Sequence, residues 1–457
     1  MKVALAISLN GVLVAVLWPW LRRQWRWAGP GWWQVVFVLG LGLRIGVGMV
    51  RNWTLHFDAE YMNRMSEKVT AQLWSDPGGF YHTFTGAITV FHFKYYDAVY
   101  QSTSNTWILI KLLALLNLAS LGVGWLNGLY LSIFAFVGCW KLVRILAERL
   151  PRTPAGAGAV AFLLWPSGWF WATGLSKEAV LLGSGTWLVA RALGAMYEER
   201  NTDEPAPAWR WARWWLGTIA LVLLHFYMRY FFAMPLLGVL VGIGLAHGLQ
   251  RMGLGRRHWV QALALAMVLG IGVWLAPQLS VAFRINKFTH QVVQVYADEL
   301  ASADQLPHMV YPDLRPTVES IAAHAPRAAF NALTRPWLGE SRQLLYIASS
   351  LENLLLLALL GLAVVALARG RGGRFPFIWG LGLSTFCLTL AILVGLTTPI
   401  FGLLSRYRSE MIPFLVLLVL QNDYVAVALR WLARHQPNKQ DLDHRNESHS
   451  LLKAGQR

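Results

Sequence analysis

The chain has 457 residues, 56% of them hydrophobic and 14% charged, where a soluble domain carries about 25% charged residues. That balance excludes an ordinary soluble globular protein. The net charge of +17 does not point to nucleic acid, because the basic residues gather in short loops between apolar runs, where membrane proteins collect Lys and Arg. Cys139 and Cys387 both fall inside apolar runs, so no disulfide framework is expected.

Apolar runs long enough to cross a bilayer as helix, about 20 residues each, recur from the N-terminus. The first is Val3 to Trp20. It lacks a small-residue cleavage site, since Trp18, Pro19 and Trp20 stand where one would be, and it reads as a retained span. A basic hinge (Arg22, Arg23, Arg26) leads to a second span near Trp33 to Val50, which holds Arg44. An arginine at membrane depth either faces a polar interior or snorkels to an interface.

Residues 51–124 are polar and aromatic at first, with an apolar segment Thr106 to Gly122 that carries Lys111 and is short for a span. If that segment lies along the surface, the basic loops 21–30, 141–154, 198–213, 249–258 and 369–374 all fall on one side, as the positive-inside rule prefers. Further spans are then expected over 125–145, 155–172, 175–197, 213–229, 231–248, 258–276, 346–368, 375–398 and 409–432. A second long loop covers 277–345, within which 281–300 reads as an amphipathic surface helix, apolar at Val281, Ile285, Phe288, Val292 and Val295.

The expected fold class is therefore all-α: a polytopic helix bundle of about eleven spans with two long outer loops containing surface helices. Residues 1–432 form one transmembrane catalytic domain and 433–457 a disordered cytoplasmic tail. The N-terminus is expected outside and the C-terminus inside, in a plasma (inner) membrane.

Polar residues converge on the outer side of that topology. Asp58 and Glu60 follow the second span. Lys177 and Glu178 stand at a hairpin turn in WPSGWFWATGLSKE. Arg229 stands in HFYMRYFFAMP, Arg335 and Glu340 in TRPWLGESR, and Arg406, Arg408 and Glu410 in SRYRSEMIPF. Cations there run against the topology rule, and arginines near the headgroup plane suit a phosphate. A carboxylate such as Asp58 suits a general base, although in a loop it also suits a solvated or capping role. Ser176 alternatively reads as the N-cap of a helix that Lys177 and Glu178 begin. His225 reads as a satisfied helix residue, and His56, His82 and His92 match no strong metal spacing. No metal site and no cofactor are expected, and a divalent ion is left open.

This layout resembles the membrane-embedded GT-C glycosyltransferases, among them the protein O-mannosyltransferases and the aminoarabinose transferase. The resemblance is carried by FDAEYM after an early span, by the WPSGWFWATGLSKE hairpin, by the late outer loop, and by the Arg-Tyr-Pro element of SRYRSEMIPF. It implies sugar transfer from a polyprenyl-phosphate donor at the outer face. Asp58 would be the base, with Glu60 as fallback, and Lys177, Arg229, Arg406 and Arg408 would hold the donor phosphate. It also implies membrane lipids and other envelope-glycan enzymes as partners. The pattern departs from the family where Ala59 separates the two acidic residues. The alternatives are a polysaccharide polymerase or ligase, and a lipid-linked sugar transporter or flippase that would use Arg44, Lys111 and Glu352.

Overall fold

A computed structural model describes residues 1–53, 57–92, 97–154, 156–197, 207–279, 281–303 and 306–433. The tail 434–457, His56 and most of the 198–213 loop's acidic start lie outside the described residues.

The chain folds almost entirely as helix. In order, α1 is Lys2–Ala28, α2 Trp32–Trp53, α3 Phe57–Ser75 and α4 Pro77–Thr85. An antiparallel hairpin follows, β1 Ile88–His92 against β2 Asp97–Gln101, in register from Ile88–Gln101 to His92–Asp97. Then come α5 Asn105–Ser120 and α6 Gly124–Arg149. A short α7, Ala157–Ala159, runs through a π-helical turn, Val160–Leu164, into α8, Pro166–Trp171. The remainder is α9 Lys177–Tyr197, α10 Ala208–Met228, α11 Tyr230–Arg251, α12 His258–Leu279, α13 Ile285–Ala301 and α14 Val318–Thr334. The chain then forms α15 Leu344–Ala368, α16 Phe377–Thr397, α17 Phe401–Tyr407, α18 Ile412–Val419 and α19 Asp423–Ala433.

Eight helices among the described residues are long and apolar enough to cross a membrane: α1, α2, α6, α9, α11, α12, α15 and α16. This is a multi-pass, almost entirely helical membrane-type bundle. The other three expected spans take different forms. The 155–172 segment is broken at the π turn and at Pro166, whose missing N–H suits the first turn of α8. α10 is a continuous helix that carries Arg210, Arg213 and His225 and is not among the eight. The 409–432 segment bends by 96° between α18 and α19, and Asn422 caps the new helix by accepting from the Val425 N–H at 3.0 Å.

Close packing depends on small residues, as is usual where lipid leaves helices no hydrophobic drive to associate. A Cβ on Gly138 of α6 would stand 2.1 Å from the Gly183 carbonyl oxygen of α9, and one on Gly395 of α16 would stand 2.1 Å from that of Ala328 in α14. The main apolar core joins α2, α6, the π turn, α11, α16 and α18. A second core joins α3 and α5 to the neighbouring ends of α6 and α9 through Met65, Val69, Trp107, Ile110 and Leu113. A buried amide network holds this second layer. Asn127 donates to Asn63 at 3.1 Å and to Asn117 at 2.7 Å, and Asn117 donates to Ser66 at 3.0 Å.

Arg44 is fully buried and faces the interior. The π turn and the chain reversal after α8 leave carbonyls without helical partners. Arg44 donates to two of them, Phe162 at 3.0 Å and Ala172 at 2.9 Å. Arg51, two turns on along the same face of α2, donates to Phe170 at 2.6 Å and Trp171 at 3.0 Å and lies against both rings. Gly48 lies between them, where a Cβ would meet Ser132 Oγ at 2.6 Å and Gly174 N at 3.3 Å. Two arginines and a glycine thus seat the hairpin turn that precedes α9.

Candidate functional site

That turn delivers Lys177 and Glu178 to the start of α9. Ser176 caps the helix, accepting from the Ala179 N–H at 3.2 Å, so the capping role and the ionic role coexist. Glu178 is fully buried, and its Oε1 faces two guanidiniums: Arg229 Nη2 at 3.1 Å and Arg406 Nε at 3.0 Å. Arg229 sits at the break between α10 and α11, in an extended backbone conformation that ends one helix and starts the next. It pairs with Glu410 at 3.3 Å and stacks on Tyr407 at 4.1 Å. Arg406 comes from the last turn of α17 and reaches Asp58 Oδ2 at 3.8 Å.

Four distant parts of the sequence therefore meet in one ionic cluster, Asp58, Glu178, Arg229 and the Arg406–Glu410 stretch, with Lys177 beside them. Lys177 differs from the arginines. Its Nζ donates to Asn105 Oδ1 and Thr106 Oγ1, both at 2.9 Å. No carboxylate oxygen lies within ion-pairing distance among the described residues. An ammonium has three donors, so one remains.

Beside the cluster is a cavity of about 390 Å³. Lys177, Arg229, Glu299 and Tyr407 line one part of it, and Phe231, Phe288, Val292, Val295 and Leu393 much of the rest. The apolar stripe of the 281–300 segment, now α13, forms one wall, so the amphipathic reading of that segment holds for Phe288, Val292 and Val295. Partial burial raises the Glu299 carboxyl above its ordinary value, and the neighbouring charges of Asp58 and Asp298 add to the rise.

No family model, curated protein or solved structure matches this chain.

Four expected site residues lie elsewhere. Arg408 is 1% exposed and points to α14, donating to Arg335 O at 2.8 Å and Ala332 O at 3.4 Å. There a guanidinium satisfies carbonyls at a helix C-terminus. Arg335 and Glu340 pair with each other at 3.1 Å. Glu60 pairs with Arg64 on the exposed face of α3. The expected Arg406–Arg408 phosphate clamp does not form, because residues two apart on a helical turn diverge.

Asn105, Thr106, Glu299 and Arg51 were not expected at or next to the cluster. Asn105 and Thr106 begin α5 with no charge to mark them, and Glu299 stands four residues after Val295, in register with the apolar stripe of α13. His225 is buried, with Nδ1 2.8 Å from Ser184 Oγ. Lys111 lies over the rings of Phe84 and Trp107. Cys139 and Cys387 are buried and free. Among the described residues, no three His, Cys, Asp or Glu side chains are placed to hold a metal ion.

Proposed function

We propose that the chain is an integral-membrane glycosyltransferase, GT-C-like in layout, that moves a sugar from a polyprenyl-phosphate donor to an acceptor hydroxyl. The observation that carries this reading is the cavity. It has a charged part, where Lys177 stands without an ion-pair partner among the described residues and shares the lining with Glu299, and an apolar remainder, which suits a molecule with an anionic head and a hydrocarbon tail.

In the proposed reaction the acceptor oxygen bonds to the anomeric carbon as the bond from that carbon to the phosphate oxygen breaks. The electron pair leaves with the phosphate, and the hydroxyl proton passes to Asp58. Lys177 stabilises the charge that grows on the departing phosphate, an arrangement in which preorganised cations contribute most. Asp58 fits the base because its side chain is 71% exposed to incoming acceptor while Arg406 holds it beside the cluster. Arg44 and Lys111 are taken up by carbonyls and rings, which favours this reading over a transporter path.

The cluster lies at the far end of α9 from Arg191, and the 141–154 and 369–374 loops lie at that other, basic end. By the positive-inside rule the cluster then faces outward and the C-terminus is cytoplasmic, in a plasma membrane.

The test separates binding from chemistry. Purified protein is titrated with undecaprenyl phosphate and, separately, assayed for transfer from a labelled sugar–lipid. Lys177→Gln is expected to weaken binding about tenfold, the value of one charge-assisted contact. Asp58→Asn is expected to bind normally and lose roughly 100-fold or more in rate. Undiminished binding by Lys177→Gln would remove the cavity reading, and wild-type transfer by Asp58→Asn would remove the base.

A further inference from the structure

A second cavity, of about 410 Å³, opens at the other end of α9. Arg191 lies roughly 20 Å along the helix from Lys177, at a rise of about 1.5 Å per residue. The cavity is walled by α1, α6 and α9, and its lining includes Trp20, Lys141, Arg144, Glu148, Trp187 and Arg191.

Its charges are one-sided. Glu148 is bound by Arg144 at 2.7 Å on the same face of α6. Arg191 is braced by the Thr218 hydroxyl at 2.8 Å and by the Trp214 carbonyl and ring, none of which carries a negative charge. Lys141 has the least. Its ammonium stands 4.0 Å from the centre of the Trp187 ring, and among the described residues it has neither a carboxylate nor a hydrogen-bond acceptor. A partly buried ammonium held only by a ring face keeps its donors for something else.

We infer that this cavity is a second, separate binding site for a phosphate group, with Lys141 and Arg191 as its ligands and Trp20 and Trp187 flanking it. The two cations lie on neighbouring, closely packed helices, so a phosphate between them bridges α6 and α9. Tryptophans and cations combine in this way where anionic head groups meet helix ends. The phosphodiester of an anionic phospholipid and free phosphate share this chemistry, and the test distinguishes them.

Full-length protein is placed in vesicles of phosphatidylcholine alone, of phosphatidylcholine with phosphatidylglycerol, or of phosphatidylcholine with inorganic phosphate added. Each sample is treated with an amine-modifying reagent, and modification of Lys141 is read by peptide mass spectrometry against exposed Lys287. Phosphatidylglycerol is expected to lower Lys141 labelling roughly five- to tenfold, the scale of one or two cation–headgroup contacts. Protection by inorganic phosphate alone would identify the free ion as the source. Arg191→Gln is expected to abolish the protection, and Arg23→Gln, on the exposed rim, to weaken it with the fold intact. Equal labelling of Lys141 in all three vesicle preparations would overturn the assignment, as would equal protection of Lys287.

Discussion

Replacing Glu178 with Gln keeps the shape of the buried side chain and removes its charge. Two guanidiniums at 3.1 and 3.0 Å then face a neutral amide. At an effective dielectric near 20, each attraction at that range is about 5 kcal/mol. Against the loss of both stands the returned desolvation of the carboxylate, several kcal/mol, and Glu410 still holds Arg229 at 3.3 Å. The expected net loss is about 3–5 kcal/mol, the range found when one partner of a buried pair is removed. Cys139 and Cys387 are free and buried, so a thiol-reactive dye reports unfolding in detergent without added probes. In an Arg406→Met background the same Glu178→Gln change is expected to cost clearly less, because one of the two stranded charges is gone. A Glu178→Gln protein within about 0.5 kcal/mol of wild type, as for an ordinary surface change, would refute the ionic cluster as a structural element.

Arg408→Ala is expected to destabilise the fold by about 1–3 kcal/mol, by stranding the Arg335 and Ala332 carbonyls, while leaving lipid-phosphate affinity unchanged; thermal unfolding and lipid titration on one preparation check both halves. Gly48→Val is expected to lower undecaprenyl-phosphate binding without touching the cavity, because its side chain would displace Ser132 and the Gly174 backbone and so shift the turn that sets Lys177. Glu299 has a raised folded-state pKa, so its contribution to stability is complete below the unfolded carboxyl value of 4.5 and is lost as pH rises through the folded value. Glu299→Gln is therefore expected to flatten the decline in stability over that window, measured as thermal midpoint against pH.

The sequence made the bundle legible because bilayer-length apolar runs leave few alternatives, and it marked Lys177, Arg229 and Arg406 because cations there oppose the loop-charge trend, with Glu178 marked by its place at the hairpin turn. Their gathering on one side was legible from the loop charges; which of them pair was not, since that depends on the break at Arg229 and the reversal after Trp171. The π turn was hidden inside a uniformly apolar run, where no period distinguishes one helix type from another. The β hairpin does have a signal, with β-branched and aromatic residues in succession through Ile88, Thr89, Val90 and Phe91 and again at Val99 and Tyr100, but it sits within a long polar segment. Arg408 stands two residues from Arg406 in the sequence, yet its side chain turns to the α14 carbonyls instead.

The grip of Arg44 and Arg51 on the hairpin falls on main-chain oxygens. An amide oxygen is the same whichever side chain accompanies it. Saturation mutagenesis should therefore show an asymmetric record: residues 160–164 exchanging freely among apolar types of similar bulk, and position 44 refusing even lysine, whose single ammonium cannot fork between two oxygens that Arg44 reaches with separate nitrogens.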